Sequence, residues 1–371
     1  MKKALALTLI MALLLSALSG TPFVRLVVAN FTQPAPPQIP SIYIRSNGSK
    51  SIEFQELPIQ QVEDVYTLTG NIVNYSIVVQ QSNIVINGAG YSIHGIRGWT
   101  GVGINLTGVR NVIVKNLRIE EFQQGIDLYQ SLNNSIVGNN IINNGDGIRI
   151  ASSSYNCIFR NNIIGYGYGI YMEPFNVGGF NNIAENNIFR NYEGIMVRGY
   201  NNSIVNNNIT SSKYIGVFMD DADYSTFIGN NISNNGFGVS PDDGRGILLK
   251  TFSSANVFHH NNFINNAEFI LRTTNTWDDG KEGNYWGNYG GRDEDGNGIG
   301  DTPYVINAKN KDNYPLTAPH RIENNMITLP SPAPKATETP EPFPIVYSMG
   351  FVAAIVLVLL SATVYIFKRK S

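Results

Sequence analysis

A glycine followed by an aliphatic residue returns at nearly fixed intervals through the middle of the chain. The aliphatic members are Ile104, Ile126, Ile148, Ile170, Ile195, Val217 and Val239, at intervals of 22, 22, 22, 25, 22 and 22 residues. Gly246-Ile247 and then Ile270 extend the series. A second marker holds the same register out of phase: Asn139-Asn140, Asn161-Asn162, Asn186-Asn187, Asn207-Asn208, Asn230-Asn231 and Asn261-Asn262. Inside each marker apolar and polar residues alternate, as at Ile126 and Leu128 or Ile148 and Ile150. That is the period of a strand.

A period of 22 residues is too short for a pair of helices with their turns. As strand it covers about 70 Å of chain, one circuit of three short strands and their corners, each circuit stacked ~4.8 Å above the last. Parallel crossovers are right-handed. The expected fold is therefore all-β: a right-handed parallel β-helix solenoid with about 22 residues per rung. Leucine-rich repeats overlap in length but need a dense Leu pattern, and this chain uses Ile, Val and Asn. Asn residues stacked at a corner can each donate to and accept from a neighbour one rung away. Gly in the Gly-aliphatic step suits a bend that needs φ > 0 or has no room for Cβ.

If Ile126 and Leu128 face in, Asp127 and Tyr129 face out. One outer row then runs Tyr129, Ala151, Glu173, Arg198, Asp220, Lys250, alternating in sign along its last four members. The other runs Asn105, Asp127, Arg149, Tyr171, Met196, Phe218, Leu248 and turns apolar. Tyr171 and Phe218, with Met196, are candidate ligand-binding residues, a platform for sugar rings. The alternative is that they pack under the insertion 240–245.

The ends of the chain have their own composition. Lys2 and Lys3 precede an apolar run, so residues 1–29 are expected to be a signal peptide. Residues 345–367 are uncharged, apolar and long enough to span a bilayer, and Lys368, Arg369 and Lys370 follow. Basic residues stay on the cytoplasmic side, which places the body outside and the tail 368–371 inside. The coil is assigned to 42–275 and a C-terminal cap to 276–318. The Pro-rich stretch 319–344 is an extended linker between body and membrane. With 26 basic and 28 acidic residues and a net charge of −2, no nucleic-acid partner is expected. Cys157 is the sole cysteine, so no internal disulfide can form.

The repeats Asn-Asn-Ile-Ile-Asn-Asn-Gly-Asp-Gly-Ile (139–148) and Asn-Asn-Ile-Ser-Asn-Asn-Gly-Phe-Gly-Val (230–239) resemble those of the NosD-like family of right-handed β-helices. The entry segment 85–93 and the exit segments 283–289, 300–304 and 312–316 resemble it too, so the likeness spans about 43–316. The arrangement with its anchor is similar to that of archaeal surface proteins. This resemblance implies relatives that bind carbohydrate or hydrolyse sugars, and the family name comes from an accessory protein for copper-site assembly. Clustered Cys, Met or His would be needed for copper. His259 and His260 are adjacent, and neighbours on a strand face opposite ways, so no copper or zinc site is expected.

Two chemical features remain. Glu173, Asp220, Asp221 and Asp223 are the candidate catalytic acids, with Arg198 and Lys250 on adjacent rungs. The intervening cation would hold carboxyls ionised and spoil a proton donor, so a solvated charge ladder is the competing reading. The loop 293–301 places Asp293, Asp295, Asn297 and Asp301 at relative positions 1, 3, 5 and 9, with Gly298 at 6. This is EF-hand-type spacing for Ca2+, with the Ile299 carbonyl at position 7 and Tyr304 where the bidentate Glu would sit. Asp312 is a candidate to complete that shell. The functional expectation is a surface-anchored binding or envelope protein with polysaccharide as ligand, and an extracellular lyase or glycoside hydrolase as the alternative. Sequons stand at Asn30, Asn47, Asn74, Asn105, Asn133, Asn201, Asn208 and Asn231. Asn133 and Asn201 are the expected acceptors, with Asn208 and Asn231 protected by burial in the Asn stack.

Overall fold

The computed structural model describes residues 39–47, 57–96, 100–173, 178–237 and 245–322. The expected signal peptide, nearly all of the linker, the membrane span and the tail lie outside these residues, as do Asn30 and Val239. Among the described residues no helix is long and apolar enough to cross a membrane.

Three ten-stranded sheets wrap a single core. One rung runs through Gln124–Tyr129 in sheet 1, Ser135–Val137 in sheet 2 and Asn140–Asn144 in sheet 3, and Asp146–Ala151 begins the next. Neighbouring rungs pair in parallel and in register: Ile126 lies opposite Ile104 on one side and Ile148 on the other. The expected solenoid and its period are therefore present. Two register details differ. Val217 pairs with Ile247, so the rung closes on the second Gly-aliphatic step, beyond the insertion. Ile247 then pairs with Phe269, which moves Ile270 to the outward position beside Leu248.

The inward columns of sheets 2 and 3 are rich in isoleucine. Ile136, Ile158, Ile183 and Ile204 stack in sheet 2, and Ile141, Ile163, Ile188, Ile209 and Ile232 in sheet 3, each 0% exposed. A β-branched side chain suits this pleated, closely stacked surface. Towards the C-terminus the columns become aromatic: Phe227, Phe258 and Trp277 stack at 4.7 and 4.4 Å. The Gly of each Gly-aliphatic step is required by space. A Cβ on Gly147 would lie 2.5 Å from the Gly169 carbonyl oxygen and from Cγ2 of Ile163.

Asparagine fills all three corners. Asn134, Asn156, Asn181 and Asn202 line one, Asn139, Asn161, Asn186, Asn207, Asn230, Asn261 and Asn284 the second, and Asn144, Asn191 and Asn235 the third. Apart from Asn191, whose Oδ1 has no partner, these amides bridge rungs in a common way. Asn161 Oδ1 accepts from Asn139 N at 2.9 Å and Asn139 Nδ2 at 3.0 Å, while its own Nδ2 donates to the Ile136 carbonyl at 2.8 Å. The corner peptides cannot pair within a sheet, and these side chains satisfy them. The second member of each pair forms a separate outer ladder, Asn162 Nδ2 to Asn140 Oδ1 at 2.8 Å and Asn208 Nδ2 to Asn187 Oδ1 at 2.8 Å. Asn208 and Asn231 are thus half-buried members of the outer ladder and not part of the enclosed one.

Sheet 3 ends on Tyr285–Trp286, inside the segment assigned to the cap. An antiparallel hairpin, Tyr304–Asn307 with Asn310–Asp312, then closes the coil. Asn310 Oδ1 accepts from Asn275 N and Trp277 Nε1, both at 3.0 Å. Asp312 Oδ2 accepts from Asn284 N at 2.7 Å and Trp286 Nε1 at 2.8 Å. Asp312 is 0% exposed, so it belongs to the cap core and does not complete the 293–301 loop. Burial raises its carboxyl above the ordinary aspartate range, against the pull of these donors.

Candidate functional site

The exterior of sheet 1 carries the densest chemistry. Its outer rows separate at the level of single strands: Asp127, Arg149, Tyr171, Met196, Phe218 and Leu248 align across rungs. Tyr129, Ala151 and Glu173 align beside them, and Ala151 is 0% exposed in place of the expected outward position. A third row, Gln124 with Asp146 and Tyr168 with Glu193 and Ile215, precedes each Gly-aliphatic step. Ile215 packs with Met196, Phe218, Tyr168, Tyr171, Tyr214 and Leu248 in a cluster apart from the main core. The third row therefore lies outside.

Most of the candidate acids are held by structural partners. The Arg149 guanidinium joins two rows, with Asp127 Oδ1 at 3.0 Å and Glu173 Oε2 at 2.7 Å. Glu173 thus pairs with Arg149, not with Arg198 as the row pattern implied. Asp220 takes Arg198 at 2.5 Å and Lys250 at 3.6 Å, which is the expected alternating ladder. Asp221 sits at a strand irregularity with φ 56°. Asp223 Oδ1 accepts from Ser254 N at 2.7 Å and Ser254 Oγ at 3.0 Å. Of the platform residues, Phe218 is 8% exposed and lies under the Lys250 ammonium, 4.8 Å from the ring centre. Tyr171 stacks on Tyr168 with 4.7 Å between ring centres.

Glu193, absent from the expected site, stands out by its environment. It is 6% exposed, and its Oε2 has no hydrogen-bond partner. Burial pushes its pKa up to about 7, with Lys250 pulling the other way. Its neighbour Tyr168 is pushed up to about 12, by burial first and the Glu193 charge second. One rung beyond Tyr168, burial also raises Asp146, whose Oδ1 accepts from Tyr168 N at 3.0 Å. Arg198 Nε is a further buried atom without a partner. Orphaned buried donors and acceptors are rare in native structures and mark places where water or a ligand belongs.

The calcium-type loop satisfies its own acids. Asp293 accepts from Gly296 N, Asn297 N and Gly298 N at 2.8, 3.0 and 2.9 Å, and Asp301 Oδ2 accepts from Glu294 N at 2.8 Å. Asp295 bonds Asn297, and Asn297 Oδ1 accepts from Ile299 N. These backbone bonds hold Asp293 below the usual carboxylate range.

The histidines are arranged otherwise than strand alternation predicts. His259 ends the sheet 2 strand Val257–His259, and His260 occupies the following corner with φ 57°. The same corner position has positive φ at Asn116, Gly138, Arg160, Glu185, Asn206 and Gly229. This left-handed turn swings the two imidazoles to one side, with 2.6 Å between their Nδ1 atoms. Burial, then His260, lowers the His259 pKa. His260 Nε2 lies 2.7 Å from Glu282 Oε2, and the His320 ring lies 4.8 Å from that of His260. Asn262, at the end of the outer ladder, fixes His320: it accepts from His320 N at 2.7 Å and donates to His320 O at 2.9 Å.

Several solved structures are similar to this chain. Geobacillus virus E2 ORF18 matches with 12% identity and a TM-score of 0.44, covering 58% of this chain and 52% of that one. DFA-IIIase from Arthrobacter chlorophenolicus A6 matches with 16% identity and a TM-score of 0.45, covering 59% and 60%. Alginate lyase from Paenibacillus sp. str. FPU-7 matches with 12% identity and a TM-score of 0.42, covering 54% and 84%. The chain spans less than two thirds of the length of the first two. No curated protein matches the chain. The family described as periplasmic copper-binding protein (NosD) matches residues 43–193 and 175–291. That match takes in every rung from the first strand of the coil to Tyr285–Trp286, well over half of the sequence, and so the chain belongs to the NosD family.

Proposed function

We propose that the chain displays its β-helix outside the cell, tethered by residues 345–367, and binds an extended polysaccharide along the exterior of sheet 1. The observation that carries this reading is the Tyr168–Tyr171 stack beside buried, orphaned polar atoms of Glu193 and Arg198. Aromatic faces take the apolar faces of sugar rings, and unpartnered donors and acceptors beside them take hydroxyl groups. The row spacing of ~4.8 Å per rung gives a linear polymer a repeating surface to follow. Binding is tested by affinity electrophoresis of the protein in gels containing neutral and acidic polysaccharides. Retardation by at least one polymer, lost in the Tyr168→Ala/Tyr171→Ala variant, supports the reading. No retardation by any polymer, or retardation unchanged in that variant, overturns it.

Hydrolysis or elimination on the same face is the second reading, favoured by Glu193 alone. A carboxyl with a pKa of about 7 retains its proton near neutrality, as a general acid must. Release of reducing ends or unsaturated sugars that disappears in Glu193→Gln would establish it, and binding without release would leave the face a binding surface.

A further inference from the structure

Among the described residues one set of three metal-type ligands converges. His259, His260 and Asp279 each offer an atom within 4.8 Å of the other two. We propose that these residues bind a divalent first-row transition-metal cation through the two Nδ1 atoms and one Asp279 oxygen.

The surroundings are those of a built site. Glu282 Oε2 lies 2.7 Å from His260 Nε2, which keeps the ring hydrogen on Nε2 and turns the Nδ1 lone pair towards His259. Between two ring nitrogens 2.6 Å apart there is room for one hydrogen and no more. A cation held by both at about 2.0–2.1 Å sits to one side of the line between them, and a bond angle near 90° at the metal needs the nitrogens to part to about 2.9 Å. Asp279 is already set by its loop: its Oδ1 accepts from Lys281 N and Glu282 N, both at 2.8 Å. The His320 ring lies 4.8 Å from that of His260, on backbone that Asn262 holds at both its N and O.

Copper, which the family description names, fits this donor set in its divalent form. Two imidazoles and a carboxylate suit copper(II), nickel(II) and zinc(II), with copper(II) bound most tightly, whereas copper(I) prefers sulfur. The sole cysteine, Cys157, lies four rungs away in sheet 2. This site is at the opposite side of the coil from the sheet 1 exterior and does not depend on the glycan reading.

The test is equilibrium dialysis of the chelator-treated full-length protein against copper(II), nickel(II) or zinc(II) chloride, with electron paramagnetic resonance of the copper form. The expected result is one copper(II) per chain, held more tightly than nickel or zinc, with nitrogen hyperfine splitting from two imidazoles. His259→Ala and His260→Ala should each weaken binding at least about 100-fold, Glu282→Gln should weaken it about 10-fold, and His94→Ala should leave it unchanged. Circular dichroism confirms that the variants remain folded. No copper binding at 100-fold excess over protein overturns the proposal. So does a spectrum without imidazole nitrogen, or stoichiometric binding that persists in His259→Ala/His260→Ala.

Discussion

Removing one amide from the second corner isolates what the enclosed asparagines contribute. Asn207 Oδ1 accepts from Asn186 N at 3.0 Å and Asn186 Nδ2 at 2.9 Å, and its Nδ2 donates to the Ile183 carbonyl at 2.8 Å. In Asn207→Ala the buried Asn186 amide hydrogen loses its acceptor and the Ile183 carbonyl loses this donor. Asn186 Nδ2 keeps the carbonyls of Ile158 and Ala184, and Asn230 Oδ1 still accepts from Asn207 N. The Asn186 amide is left without an acceptor, whereas Ile183 stays in a strand paired with Ser203–Val205, so one orphaned donor sets an expected loss of roughly 1–3 kcal/mol. The neighbouring outer amide is the control. Asn208 is half-buried and water can replace its partners, so Asn208→Ala should cost less than about 1 kcal/mol. Urea unfolding followed by circular dichroism reads both values, with an unchanged slope showing that only stability has moved. A loss below about 1 kcal/mol in Asn207→Ala, or equal losses in the two variants, would refute the claim that the enclosed ladder satisfies the corners.

Glu193 gives stability a pH dependence of defined sign. Its folded pKa of about 7 lies above the unfolded value of 4.5, so the folded state holds its proton longer and stability falls as pH rises from about 4.5 to 7. Glu193→Gln should remove on the order of 2–3 kcal/mol of that decline, read as the difference in urea midpoint between pH 5 and pH 8; an unchanged difference contradicts the burial argument. Calcium is tested at the 293–301 loop: adding it to chelated protein should raise the thermal midpoint, Asp295→Ala should abolish the rise, and a flat response excludes the ion there. Protein made in its native cells should carry glycan on the exposed Asn133 and Asn201, while the half-buried Asn208 should be bare by mass spectrometry.

Period and side-chain alternation were enough to read the coil, because both are imposed by the same geometry: fixed circumference and a packed interior. The Asn pairs were legible as a ladder, but one ladder of several. Asn134, Asn156, Asn181 and Asn202 recur as steadily, but an Asn neighbour precedes at 133 and 201, follows at 182 and is absent beside 156, so no constant pair marks that corner. Alternation failed where the backbone leaves the strand conformation. Glu193 shares its parity with the buried Ile195, so counting places it inside, yet the Gly194 step turns the chain between them and puts it outside. Polar residues at Gln124, Asp146 and Glu193, all at inward parity, were the available signal. His260 was lost in the same way, through the left-handed corner that separates it from His259. The sequence hint was the Asn and Gly at the equivalent positions 116, 138, 206 and 229, residues that tolerate positive φ.

The enclosed row at the second corner has a direction. From Asn139 through Asn161, Asn186, Asn207, Asn230 and Asn261 to Asn284, one Nδ2 hydrogen of each asparagine points to the Oδ1 of the next rung. The outer row points the other way, with Asn162 donating back to Asn140 and Asn187 back to Asn162. Two antiparallel files of amide dipoles therefore run along the coil and partly cancel, as strand dipoles do in a sheet. A one-way file must finish on a group that receives without passing anything on. An asparagine in that place would bring another amide group in need of an acceptor, and Asp312 brings none: its Oδ2 takes Asn284 N and Trp286 Nε1. The coil consequently has a chemically marked end. Whole rungs can be inserted anywhere upstream without breaking the file, but a rung added after Asp312 would have to carry its own terminating carboxylate and convert this one to asparagine.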